Sequence, residues 1–134
     1  MRRILAVLAA LVVVSAIAVA PGTTASEDDF RQLYGTLGPG LTIHLFENGP
    51  EGQPVTSLRP GNYWLTVHDT STFHNFHIFG PGLDDVVTTV PFNGGDVTVK
   101  IHVEHGQYTF QCDPHAALGM KGEFDVGGAG QVEA

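Results

Sequence analysis

Near the C-terminal end of this 134-residue chain, Cys112, His115 and Met120 fall in the spacing C-x2-H-x4-M. A thiol, an imidazole and a thioether so close together are donors that one loop can turn toward a single point. A further imidazole stands upstream in the run Phe73-His74-Asn75-Phe76-His77-Ile78. Two imidazoles and a thiolate in a trigonal set, with a weak axial thioether, are the ligand group of copper sites that move electrons. Zinc ordinarily takes more thiolates or a fourth strong ligand, so the sulfur-biased set favours copper. Taken singly, each residue has a plainer reading: Cys112 as an inert core thiol, Met120 as core filler, His74 as a surface histidine. Their joint spacing is what argues against those readings.

The cysteine count adds to this. Cys112 is the single cysteine of the chain, in a protein whose N-terminus has the features of an export signal. Met1-Arg2-Arg3 is a basic head, and residues 4–20 form an apolar run followed by small residues, the pattern of a secretory signal peptide over residues 1–25. Cleavage after Ala20 or after Ala25 fits the small-residue requirement, and an uncleaved anchor helix is the alternative. Exported proteins usually pair their cysteines. A lone thiol there is buried and inert, paired with another chain, or bound to a metal.

The elements that must position these residues read as short strands. Residues 26–36 read as a polar linker, residues 37–127 as one domain, and residues 128–134 as a short tail. Within the domain, apolar and polar residues alternate with period two. Leu41, Ile43 and Leu45 form one inward set, and Tyr63, Leu65 and Val67 another. Val97, Val99, Ile101 and Val103 continue the pattern, then Tyr108, Phe110 and Cys112, and finally Phe124 and Val126. Such alternation gives each strand one buried and one wet face. Glycine- and proline-rich turns separate the runs, drawing on 17 Gly and 8 Pro. Many short strands with tight turns predict an all-β, antiparallel Greek-key sandwich. A turn within Pro114 to Gly119 is the only helical candidate after the signal segment.

With these residues in place, the sequence resembles the cupredoxins, and among them the plastocyanin-like and pseudoazurin-like type 1 blue copper proteins. The resemblance spans roughly residues 36–127. It rests on the His74-Asn75 pair, the alternation Tyr108-Thr109-Phe110-Gln111-Cys112 and the loop spacing. It implies one copper ion cycling between Cu(I) and Cu(II), with His74, Cys112 and His115 as equatorial ligands and Met120 as the axial one. It also implies that Asn75 pins the ligand loop by hydrogen bonds. His77 has no fixed place in the family pattern and is an alternative ligand to His74. Strand parity favours His74, which shares a face with Phe76 and Ile78.

With every protein position filled, no open coordination place is left for a substrate, so the chain is not expected to be an enzyme. The expectation is a secreted or periplasmic, monomeric one-electron carrier; a copper-sequestering protein and a metal-free sandwich are the alternatives. A redox partner would dock near His115, with the turns Gly38-Pro39-Gly40 and Gly80-Pro81-Gly82 as neighbours. Beyond the signal, four basic residues (Arg31, Arg59, Lys100, Lys121) stand against fourteen acidic ones. That excess argues against nucleic acid and suits a basic protein partner, although it also serves solubility. His44, His68, His102 and His105 are expected to be solvent-exposed, with a weaker second metal site among them as the alternative.

Overall fold

The computed structural model describes residue 22 and residues 30–127. The expected signal peptide (apart from Gly22) and tail lie outside the described residues. The alternating runs become strands: β1 (Arg31–Leu37), β2 (Ile43–Glu47), β3 (Ser57–Leu58), β4 (Gly61–Asp69), β5 (Phe76–Gly80), β6 (Leu83–Thr88), β7 (Gly95–Val103), β8 (Gly106–Gln111) and β9 (Lys121–Val126). They form two sheets, ordered β2-β1-β4-β7 and β3-β9-β8-β5-β6. The predicted all-β sandwich is therefore what the chain adopts. Both sheets are mixed, because β1 pairs with β4 and β3 with β9 in parallel. Alternation within a strand carries no information about the direction of its neighbour.

Inward positions match the predicted faces closely. Tyr63, Leu65, Val67, Val103, Tyr108, Cys112 and Phe124 are all buried. Phe76 stacks on Phe110, and Tyr108 on Phe124, at centroid separations of 6.0 and 5.4 Å. Each large apolar side chain removed from water contributes about 1.5–3 kcal/mol, so this aromatic layer is a firm floor beneath the end of β8. Leu41, expected to face inward, is exposed, because β2 begins only at Ile43. The turn before it is held by Gly38 N–H donating to Thr42 O at 2.7 Å.

The linker expected over residues 26–36 is corrected from residue 31 onward. Strand β1 lies between β2 and β4, with Leu33 fully buried. Its inward row reads Leu33, Gly35, Leu37, and the glycine breaks the apolar period that would have marked a strand. The reason is packing. A Cβ on Gly35 would come within 2.7 Å of Phe76 Cε2, so the ring occupies the space of a side chain. Among the described residues, no helix is long and apolar enough to cross a membrane.

Candidate metal centre

Cys112 continues the inward row of β8 one step past the strand end, in extended conformation, and caps a 3-10 helix over Asp113–Leu118. Pro114 opens that helix and Gly119 closes it in the left-handed region at φ 91°, where glycine is free of the Cβ penalty. The loop is stitched through its backbone. His115 N–H donates to Cys112 O at 3.1 Å, Met120 N–H to His115 O at 3.2 Å, and Cys112 N–H to Met120 O at 3.0 Å. Met120 is thereby returned beside Cys112, with its side chain fully buried.

His74 arrives from the opposite direction, along the connection from β4 to β5. Two side chains shape that approach: Asp69 Oδ1 accepts from Ser71 N–H at 3.0 Å, and Ser71 Oγ from Phe73 N–H at 3.1 Å. His74 and Cys112 are buried, and His115 is half-buried. His74 Nδ1 lies 3.1 Å from His115 Nδ1 and 3.7 Å from Cys112 Sγ, while His115 Nδ1 lies 3.3 Å from Cys112 Sγ. A triangle of these sides has a centre roughly 2 Å from each atom, close to the bond lengths of zinc to imidazole (about 2.0–2.1 Å) and thiolate (about 2.3 Å). The residues present therefore fit a transition-metal ion of that size, and the donor set suits copper.

The structure brings His74, not His77, to Cys112 and His115. His77 lies on the outward face of β5 and directs both ring nitrogens at carboxylates: Nε2 at Asp84 Oδ1 (2.6 Å) and Nδ1 at Asp113 Oδ1 (2.9 Å). Asn75 turns its side chain to the ligand loop. Its Nδ2 donates to Asp113 Oδ2 at 2.9 Å, and its Oδ1 accepts from Asp113 N–H at 2.7 Å. Gln111 Nε2 donates to Asp113 Oδ1 at 2.8 Å. Burial pulls the His77 ring toward its neutral form, but hydrogen bonds to Asp84 and Asp113 outweigh it and raise its pKa above the ordinary value. Burial alone would raise the pKa of Asp113. Hydrogen bonds from Gln111, His77 and Asn75 prevail and hold its carboxyl below the usual carboxylate range.

Sequence reasoning missed Asp84, Gln111 and Asp113. For Asp113 the available signal was its place between Cys112 and Pro114, where an outward carboxylate can meet the segment that carries His74. Of the two turns expected beside His115, Gly38-Pro39-Gly40 comes after β1 at the end of the sandwich where β4 leads off toward His74. Gly80-Pro81-Gly82 lies at the far end, where Tyr108 Oη donates to Pro81 O. The strand pairing explains the error: β5 runs antiparallel to β8, so its last residues sit opposite the beginning of β8, away from Cys112. His44, His68, His102 and His105 are exposed as expected. Two of them are paired, His68 with Asp96 at 2.6 Å and His102 with Asn62 at 2.9 Å.

Residues 56–127 match the family model of copper binding proteins described as the plastocyanin/azurin family. No curated protein matches the sequence. Among solved structures the chain is similar to reduced rusticyanin, at 25% identity over 71% of this chain and 77% of that one, with a TM-score of 0.49. For rusticyanin from Thiobacillus ferrooxidans the values are 24%, 71%, 75% and 0.46. For an oxidized amicyanin mutant they are 15%, 76%, 85% and 0.42.

Proposed function

The chain belongs to the plastocyanin/azurin family of copper-binding proteins, and we propose that it is an exported one-electron carrier with a single blue-copper centre. His74, Cys112 and His115 are its equatorial ligands and Met120 its axial one. The observation that carries this reading is the convergence of two imidazole nitrogens and the only thiol within 3.7 Å of one another at a buried point. Bound copper supplies a one-electron couple whose potential the thiolate and thioether tune.

The protein's own part is to hold these donors still. The loop from Cys112 to Met120 is closed by backbone hydrogen bonds, and Asn75 ties it to the segment of His74. A site so braced needs little rearrangement when the charge at its centre changes. Burial of Cys112 and Met120 keeps water from the sulfur atoms. Only His115 among the donors is half-buried, so its edge is the natural exit for the electron. Phe73, beside His74, and Leu118, in the His115 helix, are 72% and 67% exposed. Such apolar side chains suit the small, transient interface of a redox partner, and the acidic excess would steer a basic one.

Voltammetry of the copper-loaded protein tests the carrier reading. We expect a reversible one-electron wave and copper that resists chelators. Copper that chelators remove freely, with no reversible wave, would instead indicate metal storage.

A further inference from the structure

His77 is not a member of the donor triangle, yet it is tied to two carboxylates. Its Nε2 meets Asp84 on β6 at 2.6 Å, and its Nδ1 meets Asp113 at 2.9 Å. A neutral imidazole carries one N–H and can donate to only one of these acceptors; the imidazolium donates to both. A carboxylate at each ring nitrogen therefore favours the cationic form.

Asp113 is the hub of this network. Its carboxylate receives donors from His77 on β5, from Gln111 at the end of β8 and from Asn75, and its own N–H donates back to Asn75. Asp113 adjoins Cys112, and Asn75 adjoins His74. The chain Asp84–His77–Asp113–Asn75 thus runs from β6 to the two backbone segments that deliver the thiol and the first imidazole. Hydrogen-bonded partners beyond the ligands commonly fix ligand orientation and tune a metal site.

We propose that His77, oriented by Asp84, is a positioning residue of the metal centre: it holds Asp113 so that the segments bearing Cys112 and His74 stay locked together. Its effect on copper rests on the copper reading above; the clamp itself exists without metal. Loosening the clamp weakens metal retention. Removing a cation near the centre also favours the more positive, oxidised metal and lowers the reduction potential.

The test compares copper-loaded wild type with His77→Gln, Asp84→Asn and, as control, His102→Gln, an exposed histidine bonded to Asn62. We expect His77→Gln to lose copper to a competing chelator at about tenfold lower chelator concentration, and to show a lower potential. Asp84→Asn, which keeps an acceptor for the ring but removes an anion, should weaken retention by less and should not lower the potential, and His102→Gln should shift neither. A purely structural role for His77 would lower thermal stability and leave the potential in place, and that result overturns the proposal. If the wild type takes up no copper, the copper reading fails and the clamp is judged in the metal-free protein by hydrogen exchange at Asp113 N–H. Loss of protection in His77→Gln supports the clamp, and unchanged protection overturns it. Should His77→Gln not fold, Asp84→Asn carries the retention and exchange measurements.

Discussion

Cys112 N–H donates to the carbonyl oxygen of Met120 at 3.0 Å, so the two sulfur-bearing residues are fixed to each other through the backbone. The bond depends on no side-chain atom. Either sulfur can therefore be replaced while the loop that presents the other keeps its closure.

Met120→Leu exploits this. Leucine is close in volume, and swaps of that kind in a packed core usually cost less than about 1.5 kcal/mol. The variant should fold, bind copper and show a raised reduction potential, because a weak axial thioether donor has been lost. Voltammetry of the pair decides the matter: an unchanged potential means that Met120 does not touch the metal.

Gly35 offers a test of the first strand. A side chain there meets the Phe76 ring, whose Cε2 would lie 2.7 Å from the new Cβ, and overpacking of this kind costs about 1–3 kcal/mol. Gly35→Val should lower the urea midpoint of the metal-free protein with no change in the slope of the transition. A midpoint equal to that of wild type would show that β1 is not seated against Phe76.

The raised pKa of His77 gives stability a pH dependence of defined sign. A group that is easier to protonate in the folded chain stabilises it while protonated. Its contribution is complete below the ordinary histidine value near 6.5 and is lost as pH rises through the elevated folded value. In the metal-free protein, the stability advantage of wild type over His77→Gln should therefore shrink as pH is raised through that window. Urea midpoints collected across it would contradict the account if the two proteins ran parallel.

These residues also show what the sequence could and could not reveal. The strands β4, β7 and β8 were legible because each buries one face, and burial writes a period of two. The donors Cys112 and His115 were legible because one loop supplies both, so sequence spacing and spatial spacing nearly coincide. Strand β1 was hidden because a neighbouring ring replaces its central side chain. The parallel pairings were hidden because they join segments far apart in the chain. His77 attracted notice as a histidine near His74, but its work depends on Asp84, in a strand whose sequence LDDVVT does not alternate apolar with polar residues, so that Asp85 is partly buried and Val86 exposed. It depends equally on Asp113, whose partners converge only after β5 and β8 pair.

The central claim is that Cys112 gives its thiolate to a copper ion held between His74 and His115. Titration of the metal-free protein with Cu(II), followed by visible absorption, tests it most directly. We predict an intense thiolate-to-copper charge-transfer band that saturates at one ion per chain and is abolished by Cys112→Ser. A colourless copper complex of the wild type would contradict it.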